Sequence, residues 1–345
     1  MGRKRMQSQI KRASARAVLS GAYRLGLPRA IRRLLPNSLS ILAYHRIADP
    51  TQNDFFGLRW NVSATPSCFV EQLNYIKGEC NAISLAVLEA AIAGKSSLPE
   101  NAVLITFDDG YRDNYSIALP EITKRELPAV LFAATGFIDG HACPFWDWVT
   151  EAFRNTQVNA ANLPLIGSRQ WRLLEDRANV ANEWIRFGID HSSHRELRAA
   201  LKELSAILQV SLPNGTPPGL TMNWDELKAM ADSGFAIGAH TVTHPVLLQT
   251  NIGRAEREIR ISKIVLERQT GRTISAFAYP NGLFTDQHER LLAEANYKMG
   301  LRVEGGLTFQ SEMSARPFAI RRSCITLKDD LPRFAAKVAG ASRIL

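Results

Sequence analysis

The chain has 345 residues, 46% of them hydrophobic, enough to bury a large core, and a formal charge of +9. Ten of its 42 Lys/Arg residues fall within residues 1–38, which hold no acid, so the other 32 face all 33 acids and the body after Ser38 is close to neutral. That distribution excludes a body shaped for nucleic acid, and no run approaches the ~18 apolar residues of a bilayer span.

Residues 1–38 read as a basic N-terminal arm. Their apolar stretch is short and broken by Arg24, which argues against a secretory leader. Met6, Ile10, Ala13 and Ala17 fall at helical spacing. Two readings stay open: a weakly amphipathic helix on anionic lipid, or a solvated tail. A nucleic-acid arm is the weaker third, since no reader domain accompanies it. Cys68, Cys80, Cys143 and Cys324 form no C-x2-C pair, so they read as free thiols of a reducing, cytoplasmic compartment.

After the arm, Ser38–Ile47 reads as a buried strand that carries a tyrosine and a histidine near its end. Helical patterns follow at Ser67–Gly78 and Ser84–Ala93. Ala102–Phe107 is apolar and rich in β-formers, as a strand buried on both faces is. A helix near Pro120–Arg125 leads to a second such strand in "PAVLFAATGF". Asn223 with Glu226 three positions on forms a capping box for a helix that Gly234 ends. Then come the strand "FAIGAH", a helix over Arg254–Thr270, the strand "SAFAYP", a helix at Asp286–Asn296, and strands near Lys298–Arg302 and Phe318–Ile325.

This alternation predicts an α/β fold, a distorted (β/α) barrel of about seven strands, with chemistry at the C-terminal strand ends. Residues 39–345 form one catalytic domain in this reading. A stretch of about 141–222 breaks the rhythm as a helical insertion with two helical patterns and the turn-rich "LPNGTPPG". His141, His191 and His194 within it read as surface residues.

Three polar clusters stand where strands end: Asp108-Asp109 in "LITFDDGYRDNY", His240 and His244 in "HTVTH", and His45 in "AYHRI". One carboxylate with two histidines four apart makes a His2Asp set that leaves coordination positions open, the pattern of a catalytic metal. Pro245 argues that the pair lies on a loop. One aspartate can bind the metal while its neighbour takes a proton from water, and Gly110 permits the turn that splays them. Without a cation, two adjacent acids would repel and one would be protonated.

"TFDDGYRDNY" with "HTVTH" resembles the first two motifs of the NodB-type polysaccharide deacetylases, carbohydrate esterase family 4, over roughly residues 39–330. The resemblance implies de-N-acetylation of aminosugars by a distorted (β/α) barrel. It makes Asp108 the general base and Asp109, His240 and His244 the metal ligands. It also implies a divalent metal, zinc by default with cobalt or nickel as alternatives. "FAYPNG" resembles the third motif, in which the Asn281 backbone N–H would hold the oxyanion. Two departures stand out. Ala278 replaces the usual base-orienting arginine, for which Arg321 or Arg322 of "AIRRSC" is the candidate replacement, and no histidine follows His288. His45 instead resembles the N-terminal histidine of the rearranged branch that includes biofilm poly-N-acetylglucosamine deacetylases, where it supplies the catalytic acid.

Tyr279, with Trp146 and Trp148 of "PFWDW", is a candidate substrate contact, although the tryptophans could equally plug the insertion onto the barrel. The expected partner is an N-acetylated glycan of an oligo- or polysaccharide, or a lipid-linked precursor at the inner membrane face. Alternatives are hydrolysis of another C–N amide bond, or a non-catalytic carbohydrate binder, which the missing arginine motivates.

Overall fold

The computed structural model describes residues 16–52, 55–212 and 215–341. Seven strands carry the architecture: β1 (Ser38–Tyr44), β2 (Ala102–Asp109), β3 (Ala129–Ala133), β4 (Ala236–Ala239), β5 (Ala276–Ala278), β6 (Met299–Val303) and β7 (Ile320–Cys324). Each pairs in parallel with the next, and β7 pairs back onto β1, so the sheet closes into the expected (β/α) barrel. The seam between β4 and β5 is the thinnest, a single opposed pair of Ala239 and Phe277.

Strand alternation sorts the side chains. Leu39 and Ile41, Ala102 and Leu104, Val130 and Phe132, and Ile320 join one buried cluster inside the barrel. The residues between them, such as Leu42, Val103, Ile105 and Phe107, pack outward beneath the helices. Helix Leu85–Ile92 crosses the N-terminal mouth, where its Leu85, Leu88 and Ala91 complete the inner cluster. Its Glu89 reaches Ser275 and Lys298 at the starts of β5 and β6. One end of the barrel is thereby covered.

Part of the basic N-terminal stretch belongs to the body. Arg32, on helix Leu27–Arg33, is buried and donates to Ser38 Oγ at 2.6 Å and to the Ala102 carbonyl at 2.9 Å, at the starts of β1 and β2. Residues 1–15, which carry most of the spacing read as an amphipathic helix, lie outside the described residues. No helix among the described residues is long and apolar enough to cross a membrane.

Over residues 141–222 the structure holds three helices, Phe145–Asn155, Leu174–His191 and His194–Leu208, rather than two, and an antiparallel hairpin of Ala160–Leu163 with Gly167–Gln170. The hairpin escapes sequence reading because its four-residue strands are mostly small or polar and only partly buried. A separate core of Phe153, Trp171, Trp184 and Leu204 holds the unit together.

Candidate active site

The strand read as ending at Phe107 continues through Asp109. Asp108 falls on the inward phase, two residues beyond Thr106, and is fully buried. Arg322, on the inward phase of β7 with Ile320, meets it there. Its two terminal nitrogens donate to the two carboxylate oxygens at 2.7 and 2.8 Å, and one also reaches Thr106 Oγ1 at 3.2 Å. Burial alone would raise the Asp108 pKa, but the Arg322 guanidinium, helped by His240, pulls it down to about 2. Asp108 is therefore an oriented anion at neutral pH.

Asp109 falls on the outward phase, yet it serves the same centre because its backbone turns. Its φ is 73°, and Gly110 follows at 94°. The turn thus begins one residue earlier than the glycine, at a position that side chains rarely adopt. Asp109 Oδ1 lies 3.5 Å from His240 Nε2 and 3.4 Å from His244 Nε2, and this buried oxygen has no hydrogen-bond partner. His240 follows the end of β4, and its Nδ1 lies 2.7 Å from the Ala278 carbonyl. A carbonyl only accepts, so Nδ1 carries the proton and Nε2 keeps its lone pair. His244 reaches the cluster from the following loop at φ 54°. Burial lowers both imidazole pKa values to about 4, so both rings are neutral at pH 7.

Such a donor set fits a divalent cation. One ligand atom from each of the three residues lies within 4.8 Å of the others, and the orphaned carboxylate oxygen has nothing else to bind.

His45 stands just past the end of β1, half-buried, its N–H on Ser63 Oγ at 2.9 Å and its carbonyl taken by Asn114 Nδ2 at 2.7 Å. These bonds break the expected Ser38–Ile47 strand at the histidine. Its charge would bear on both aspartates and on His244. Asn281, at φ 55° in the turn after β5, lines the same cavity as His244. Long sequence separations therefore converge on one rim.

Sequence reading missed the buried network under this rim. The Tyr111 hydroxyl donates to Asp147 Oδ2 at 2.6 Å and accepts from Trp146 Nε1 at 2.8 Å and Asn61 Nδ2 at 2.7 Å. Asn61 Nδ2 also lies 3.4 Å from Asp109 Oδ2. Nearby, Arg46 pairs with Asp113 at 3.0 Å, and Asp147 takes the Leu58 N–H. The tyrosine stands in "DDGYRDNY", but local spacing does not reveal partners so distant along the chain. Tyr111→Phe leaves the indole N–H and the amide each short of an acceptor and the carboxylate short of a donor. It should cost about 1–3 kcal/mol of stability, read as a lowered urea midpoint with unchanged slope.

Three expectations need correcting. Tyr279 does not face substrate: it is fully buried, stacked on Phe284 at 4.3 Å, with its hydroxyl on the Phe318 carbonyl. Arg321, on the outward phase of β7, pairs with Glu312 at 3.1 Å rather than with Asp108. His194, read as a surface residue, is half-buried and lines the cavity. Trp146 and Trp148 line that cavity as well, but each is held from behind. Trp146 stands edge-on to His244 at 4.9 Å, and Trp148 Nε1 donates to the Ser211 carbonyl.

Comparison with known proteins adds to this geometry. The sequence model of the polysaccharide deacetylase family matches residues 95–300. The poly-beta-1,6-N-acetyl-D-glucosamine N-deacetylase of Escherichia coli K12 is 28% identical over 104 residues, 30% of this chain and 15% of that one. The Streptococcus pyogenes deacetylase PplD, solved with acetate, superposes with a TM-score of 0.58 at 19% identity, over 88% of this chain and 99% of that one. IcaB from Ammonifex degensii gives 0.54 at 18% identity, over 88% and 98%. At these identities the two structures speak for the fold.

Proposed function

The chain belongs to the polysaccharide deacetylase family, and on that premise we propose a metal-dependent hydrolase that removes N-acetyl groups from aminosugars of an oligo- or polysaccharide or a lipid-linked precursor. One observation carries the reading: two adjacent carboxylates are put to opposite uses. Asp108 is clamped by Arg322, while Asp109 turns a bare oxygen toward two neutral imidazoles. The arginine absent from the third motif, which motivated a non-catalytic reading, has a counterpart in Arg322.

Asp109, His240 and His244 would hold the cation, zinc by default, with cobalt or nickel as substitutes. Its contribution when bound is Lewis acidity, which polarises a carbonyl oxygen and brings the pKa of water toward neutrality. The chain's own groups do the rest. Asp108 accepts the proton of the attacking water. The Asn281 backbone N–H donates to the oxyanion that forms as the amide carbon becomes tetrahedral. His45 passes a proton to the departing sugar nitrogen, so that free amine and acetate leave.

The Escherichia coli relative is named for poly-β-1,6-N-acetyl-D-glucosamine, which makes an N-acetylglucosamine polymer the first substrate to assay. Apart from the buried Arg32, the basic residues of 1–38 support contact with anionic lipid, and with it a substrate pool at the cytoplasmic membrane face. The test is acetate release from a panel of N-acetylated glycans with and without chelator. Activity should vanish on chelation and return with added Zn2+, Co2+ or Ni2+. Full activity in chelator would refute the metal assignment.

A further inference from the structure

The cavity reached by His244 and Asn281 has a volume of about 510 Å3, within the usual range of ligand sites, and it continues under the insertion. One wall is apolar, formed by Phe145, Trp146, Trp148, Leu197 and Leu201. The charged groups lining it are Arg198, Lys202 and Arg254, and no Asp or Glu joins them among the described residues.

The packing accounts for Arg254, which is paired with the buried Glu258, but not for the two exposed cations, Arg198 and Lys202. Arg198 and Lys202 stand one turn apart on helix His194–Leu208, a like-charge spacing that weakens a helix. Neither is paired with a carboxylate among the described residues. Arg254 lies 3.3 Å from Glu258, but Glu258 is already shared with the Val242 and Thr243 N–H groups and the Thr243 hydroxyl. One turn before Arg198, His194 also lines the cavity, and its buried Nε2 has no hydrogen-bond partner. Burial, and then the charges of Arg254 and Arg198, lower its pKa to about 4, so the ring is neutral at pH 7 and adds no charge of its own to the cluster.

We infer that this cavity is a subsite for an anionic group of the substrate. The sugar presents its acetamide near His244 and a carboxylate or phosphate to Arg198, Lys202 and Arg254, while the aromatic wall covers its carbon face. The inference rests on the de-N-acetylase reading and deepens it: the natural glycan is acidic.

The test is calorimetric binding to the full chain of three N-acetylated disaccharides: a neutral one, one with a uronic acid and one ending in a phosphate monoester. A charged ligand should bind at least about ten-fold more tightly than the neutral one, a preference that shrinks at 0.5 M salt. Whichever charged arm wins names the anion. In Arg198→Gln/Lys202→Gln the preference should collapse, and Lys202→Glu, at an exposed position, should turn it against the anion. Equal affinities in the wild type, a preference that survives the double substitution, or no binding at all would overturn the subsite. Acetate release from the same ligands reports separately on the parent reading. Charged ligands that bind tightly but lose no acetate would leave the subsite standing and remove the proposed reaction.

Discussion

Asp108→Asn is expected to lower kcat by about 10²–10⁴-fold at neutral pH while changing KM little, the range lost when a positioned general base is removed. The substitution keeps the shape and takes away the proposed proton acceptor. It also sets an amide N–H2 against the Arg322 guanidinium, donor against donor, where two hydrogen bonds of 2.7 and 2.8 Å stood. Some stability is lost with them, so the measurement needs a control at the neighbouring centre. Asp109, His240 and His244 are untouched, and the variant should still bind one equivalent of metal. A variant that binds metal, binds glycan and still releases acetate at the wild-type rate would show that another group takes the proton.

The residues that carry this prediction were legible to unequal degrees. The barrel was readable because its strands are short apolar runs separated by helical periods, and the Asp-Asp-Gly and His-x3-His signals sit at their ends. Spacing and chemistry gave a candidate His2Asp set, and the family resemblance chose Asp109 over Asp108 as its carboxylate. Choosing between Arg321 and Arg322 needed the phase of β7, and the signal was present: Ile320 is apolar and inward, so the residue two positions on shares its face. Tyr279 is the expected substrate contact that the structure buries. Its burial depends on Phe284 and Phe318, which only the folded chain brings close. Asn61, Tyr111 and Asp147 meet across separations that no local pattern encodes. The positive φ at Asp109 is of the same kind, since nothing in an Asp-Asp-Gly triplet says which residue turns first.

Arg322→Gln is expected to destabilise the metal-free protein by about 3–5 kcal/mol at pH 7, because it leaves Asp108 ionised and buried without its partner. The sign of the pH dependence makes the case specific. In the wild type the folded-state pKa of Asp108, about 2, lies below an unfolded value near 3.9. The pair therefore adds stability, about 2–3 kcal/mol, that is fully present above pH 4 and is lost as the pH falls from about 4 toward 2. Without the guanidinium, burial dominates and the folded-state pKa moves above the unfolded one. The stability contribution then reverses: it is greatest when Asp108 is protonated and declines as the pH rises from about 4 toward neutrality. Urea midpoints of the chelated proteins at pH 4, 5.5 and 7 would show the difference, with the gap between variant and wild type widening as the pH rises. Pairing the change with Asp108→Asn should recover part of the loss, since a neutral amide no longer needs the missing cation. A gap that stays constant over this range would mean that Arg322 braces the strand by packing on Phe132 and Thr106 alone, and that it neither orients nor ionises the base.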